Sequence, residues 1–221
     1  MFIIIIGAML VSWLIQSRLK SKFKEYSQIP VGLSGAEVAQ KMLHDNGIND
    51  VQVVSIDGFL SDNYDPTKRI VNLSPEVYNG RSIAAAAVAA HECGHAVQHQ
   101  QAYIWLGLRS TLVPIVSFSS KFVMWILLAG VLLLNTFPVL LEAGIILFAI
   151  TTLFSVITLP VEIDASRRAL VWIDKSGIMS AVDHSKAKDA LTWAALTYVI
   201  AALASIATLL YYLSFLGGRR R

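Results

Sequence analysis

The residues best suited to chemistry are His91-Glu92-Cys93-Gly94-His95, the pattern H-E-x-x-H. They follow a run of small helix formers, IAAAAVAA at 83–90, and no proline interrupts 82–101. On a helix, positions four apart share a face, so His91 and His95 can grip one metal ion together. Glu92 can then reach a water on that ion without ligating it. A bare match arises by chance in roughly one chain of this length in a hundred, so the helical context adds weight. The competing reading is an ordinary helix with two polar histidines.

The five residues supply most of what peptide hydrolysis needs. Zinc brings the pKa of a bound water to about 7 and polarises a carbonyl. A carboxylate beside that water takes its proton during attack and returns it to the leaving amine. One ligand is missing from the motif. A metzincin would place a histidine at position 101, where this chain has Gln101.

The elements that must position these groups include membrane helices. Of 221 residues, 55% are hydrophobic, and the mean hydropathy of +0.59 exceeds that of an ordinary soluble domain. The net charge is only +3. Its basic residues flank apolar runs, which points to a lipid bilayer as partner and away from nucleic acid. Cys93 is the one cysteine, so no internal disulfide forms. Its position suggests a small buried residue, with a fourth ligand or a redox brake as the alternatives.

Along the chain, residues 1–17 read as an uncleaved apolar anchor, followed by Arg18, Lys20, Lys22 and Lys24. Residues 18–110 read as a zincin-like catalytic domain. Within it, Ser34 and Glu37 form a capping box for an amphipathic helix ending near Gly47, with His44 at its surface. Residues 51–56 and 69–73 read as two strands, a hairpin or small sheet, with pairing of one to a substrate backbone as the alternative to a purely structural role. The turn-rich segment between them holds Asp62, Tyr64 and Asp65, read as turn formers. Residues 111–160 form a transmembrane hairpin, with Lys121 and Glu142 near interfaces. Residues 161–189 carry a charged segment and a soluble helix, with His184 expected at the surface. Residues 190–221 form a last span and the Arg219-Arg220-Arg221 tail. The fold class expected is predominantly α: a polytopic membrane protein with about four transmembrane helices around the catalytic domain.

The best candidate for the third ligand is Glu162, in LPVEIDASRRAL at 159–170. A hairpin crosses the membrane twice, so residue 162 returns to the side of His91 and His95. Asp164 is expected to orient an imidazole, or to be the ligand with Glu162 supporting it. Arg167 and Arg168 are read as lying at the lipid surface, with oxyanion stabilisation as the alternative. Nine Lys and Arg lie between Arg18 and Arg109, and five between Glu162 and Lys188. The positive-inside rule then puts the site in the cytoplasm, against the sign of the C-terminal arginine tail.

With these segments in hand, the chain resembles the YugP-type family of bacterial membrane neutral zinc metallopeptidases. The matching segments are LSGAEVA at 33–39, LSDNYDP at 60–66, HECGHA at 91–96 and LPVEIDASRRAL at 159–170. Cys93 stands where Val is expected, and Asn63 where His is. A more distant likeness is to the HtpX and CaaX-protease type, whose E-x-x-A-D stretch supplies a glutamate ligand. Glu162 and Ala165 match that stretch, and Ser166 replaces its Asp. The resemblance implies one Zn2+ per chain, with His91 and His95 as ligands and Glu92 as catalytic carboxylate. From the more distant likeness, the ligand role of Glu162 carries over.

The reading from sequence is therefore a gluzincin-like zinc metalloendopeptidase of the bacterial inner membrane, multi-pass. Its substrate is a polypeptide, including membrane proteins, and an oligomer or accessory membrane partner is compatible with it. The rival is a non-catalytic scaffold with a structural zinc closed by Cys93 or His99. A metal sensor or carrier lacks the His- or Cys-rich tract it needs. An intact Glu92 favours the enzyme.

Overall fold

The computed structural model describes residues 2–58 and 61–217. In chain order its elements are α1 (Phe2–Tyr26), α2 (Gly35–Asp45), β1 (Gln52–Ser55), β2 (Asn63–Asp65) and β3 (Ile70–Leu73). Then come α3 (Pro75–Tyr78), α4 (Ile83–Gln100), α5 (Ile104–Leu132), α6 (Pro138–Ser176) and α7 (Ala181–Gly217). The protein is predominantly helical, with one small sheet.

The motif helix α4 is the centre. Ser82 caps it, its Oγ accepting from the Ala85 N–H at 3.2 Å. The alanine run removes bulk from almost every face, so α2, α6 and α7 all pack against α4. A helix apolar all round is a buried helix. The capping box of α2 forms as the sequence predicts, with Ser34 N–H donating to Glu37 Oε2 at 2.7 Å. Gly47, at φ 70, follows its last turn.

The strands do not form a hairpin. β1 and β3 pair parallel, and β2, an extra strand from the turn-rich segment, adds antiparallel to β3, giving the order β1-β3-β2. Asn63 and Asp65 read as turn residues because local propensity favours that. Pairing with β3 overrides it. Asp65 still makes a turn, its Oδ1 accepting from the N–H groups of Thr67 and Lys68.

Three helices among the described residues are long and apolar enough to cross a membrane: α5, α6 and α7 (to Leu216). The expected fourth span, 1–17, lies partly outside the described residues, as does the arginine tail wholly. α1 runs unbroken past Lys20, Lys22 and Lys24, and Tyr26 Oη donates to Asp189 of α7 at 2.6 Å. The span expected to end near residue 160 does not stop there. α6 continues through Pro160 to Ser176 and ends at Gly177, at φ 65. At 1.5 Å per residue it is about 58 Å long, against roughly 30 Å of hydrocarbon. The charged segment after the hairpin is the end of a rod anchored in the apolar bundle, not a separate piece.

Candidate metal centre

His91 and His95 lie one turn apart on α4, their rings edge to face with centroids 4.9 Å apart. Glu162 of α6 comes down on both. Its Oε2 is 3.2 Å from His91 Nε2 and 3.7 Å from His95 Nε2. Two donors bound to one tetrahedral zinc at about 2.0–2.1 Å stand roughly 3.4 Å apart. The three side chains therefore fit a shared ion, and their ligand atoms all lie within 4.8 Å of one another.

Gly94 allows this approach. A Cβ there would stand 2.5 Å from the carbonyl oxygen of Ala165, so α6 touches α4 backbone to backbone at that point. Glu162 lies just before Ala165 on the same helix.

Neighbouring groups fix the donor atoms. Gln98 is wholly buried; its Nε2 donates to the Val161 carbonyl at 2.8 Å and to Asp164 Oδ2 at 3.0 Å. Both partners only accept, so the amide nitrogen must face them. Its Oε1 is then left towards His95 Nδ1 at 3.1 Å, which must carry the proton. That tautomer leaves the Nε2 lone pair facing Glu162. His91 Nδ1 is tied in turn to Ser166 Oγ at 3.0 Å. Arg109 Nη1 donates to Glu162 Oε1 at 3.0 Å, which leaves Oε2 for the imidazoles.

Glu92 sits in a cavity of about 420 Å³ with His95, Glu162, Arg109, Tyr198 and the residues of β2. Burial pushes its carboxyl up to about 7, with His91 opposing and the carboxylates of Glu162 and Asp62 adding to the rise. A group poised near neutrality suits proton transfer in both directions. Tyr198 of α7 lines the same cavity.

The other sequence candidates fall elsewhere. Asp164 is not in the cluster. It accepts from Gln98, Arg167 and Arg168, and so acts on His95 through Gln98. Arg167 and Arg168 turn to Asp164 rather than into the cavity. Cys93 packs against the Ala39 carbonyl on the α2 side, fully buried, and burial pushes its thiol up. His99 meets Tyr64 Oη at 2.8 Å, outside the cluster. Asp62 accepts from the N–H and Oγ of Ser74, a structural role, while also lining the cavity. His44 is exposed, as is Glu142. His184, expected in solvent, is half-buried between helices with Nε2 3.1 Å from the Leu170 carbonyl.

Four residues of the site escaped the sequence reading. Gln98 and Ser166 had a usable signal, at i+3 from His95 and i+4 from Glu162 on their helices. Arg109 and Tyr198 are placed only by the packing of α5 and α7.

The chain matches the model of the family described as "Putative neutral zinc metallopeptidase" over residues 1–217. It is 45% identical over 219 residues to a Bacillus subtilis (strain 168) protein named "Putative membrane protease YugP". That match covers 97% of this chain and 96% of the relative. No solved structure matches the chain.

Proposed function

Because the chain belongs to this family of membrane zinc metallopeptidases, we propose that it is a gluzincin-like endopeptidase holding one zinc through His91, His95 and Glu162. The observation that carries the reading is the meeting of these three side chains in a cavity beside Glu92 and strand β2. Zinc bound there supplies Lewis acidity to the scissile carbonyl and to the attacking water. Glu92 takes a proton from that water as its oxygen attacks the carbonyl carbon. It passes the proton to the amine nitrogen as the C–N bond breaks. Gln98 and Ser166 hold the two imidazoles, and Arg109 holds Glu162. β2, at the sheet edge and lining the cavity, offers main-chain groups to an extended substrate.

Three membrane-length helices support a chain that crosses the bilayer several times, and the lysine and arginine distribution supports a site on the cytoplasmic side. Substrates are then polypeptides in the cytoplasm or at the membrane surface. A structural zinc would ask for four protein ligands, and the cluster holds three among the described residues.

The test is Glu92→Gln in lipid nanodiscs. It should keep near one zinc per chain by mass spectrometry and lose cleavage of an unfolded protein substrate. Retained cleavage overturns the reading.

A further inference from the structure

A second, open groove of about 550 Å³ adjoins the catalytic cavity. The two share Pro66, Thr67, Leu106 and Ser110 in their walls, so they lie side by side. The groove runs beyond His99 of α4 and along the first two turns of α5, from Ile104 to Thr111. Among the described residues, no Asp, Glu, Lys or Arg lines it. Ile104, Leu106 and Leu108 give it an apolar wall, and Gly107 leaves it open. A Cβ at Gly107 would meet no atom within 4 Å. The bond between Tyr64 and His99 ties the β2 side of the catalytic cavity to the groove wall.

We propose that this groove takes one large apolar side chain of the polypeptide substrate, within two residues of the scissile bond. The inference rests on the peptidase reading and names its specificity. A substrate extended along β2 points alternate side chains to opposite faces, so one residue enters the groove while its neighbours point away. A charged side chain would lose its water there and find no opposite charge. A bulky apolar one is favoured by burial alone. The groove opens at the start of a membrane-length helix beside exposed Trp105. The residue it takes can therefore belong to a segment leaving the bilayer.

Wild type in nanodiscs, loaded with zinc, is given peptides varied one position at a time over four residues on each side of the cleaved bond. One position should prefer Phe or Leu over Asp or Gly by 10–100-fold in kcat/KM. Gly107→Phe fills the groove. It should abolish that preference at the same position while zinc stays near one per chain. Leu108→Glu, at an exposed site, should shift the same position towards Lys. Cleavage with no preferred position, or a preference that both variants leave intact, overturns the groove assignment and spares the peptidase reading. No cleavage at all by the zinc-loaded wild type overturns both.

Discussion

Gln98→Leu tests how far the imidazole of His95 depends on its buried partner. Leucine has a similar volume but neither accepts from His95 Nδ1 nor donates to Val161 and Asp164, the three contacts Gln98 makes. Without the acceptor, the His95 tautomer with Nε2 free is no longer favoured. Loss of such a supporting contact typically lowers metal affinity 10–100-fold, or about 1.4–2.7 kcal/mol. The His95 N–H left without its acceptor also costs stability, on the order of 1–3 kcal/mol before relaxation, while Asp164 keeps its two arginines. The two effects separate experimentally. Zinc affinity is read by competition with a chromophoric chelator, and stability by thermal unfolding of the metal-free protein. Gln98→Glu serves as companion. It keeps an acceptor for His95 but sets a carboxylate against Asp164, so it should lose stability while holding zinc better than the leucine variant. A folded Gln98→Leu protein that binds zinc within threefold of wild type would refute the relay from Asp164 to His95.

Other predictions follow from the same geometry. Gly94→Ala should force α6 off α4 through contact with the Ala165 carbonyl, costing about 1–3 kcal/mol and most of the zinc; full occupancy by mass spectrometry would contradict the backbone contact. Arg109→Leu should destabilise the metal-free protein by about 1–3 kcal/mol and the zinc-loaded protein by less, since a bound cation also balances Glu162; equal losses in thermal unfolding with and without zinc would argue against it. Glu92 keeps its proton in the folded metal-free protein up to about 7, against an ordinary 4.5. Folding therefore favours the protonated form. The stability of metal-free wild type relative to Glu92→Gln should be greatest below pH 4.5 and fall by up to about 3 kcal/mol as pH rises to 7 and above. A flat difference across that range would mean that Glu92 is not desolvated.

The motif helix, its serine cap and the capping box of α2 were legible because each is local chemistry a few residues long. Glu162 was legible for another reason: two apolar stretches of spanning length must return the chain to its starting side. The continuous α6 was not, because the apolar run gives way to a charged segment near residue 160, while the helix itself continues through Pro160. β2 was missed because the turn-type residues Asn63 and Asp65 became strand only by pairing with β3. Arg109 reads in sequence as one more cation at the head of a span, and Tyr198 as one aromatic in an apolar run. Only the packing of four helices around one cavity brings them to Glu162.

The unbroken α6 also sets an order of assembly. His91 and Glu162 are 71 residues apart, and both limbs of the α5–α6 hairpin lie wholly or largely between them. During synthesis α4 can form early with its two histidines, but its partner carboxylate arrives only after both apolar helices have been made and folded back. Under the proposed ligand set, a chain whose hairpin has not yet folded back carries an incomplete metal site. Folding of the hairpin is then the step that completes the cluster, since no carboxylate of α6 meets the histidines before it.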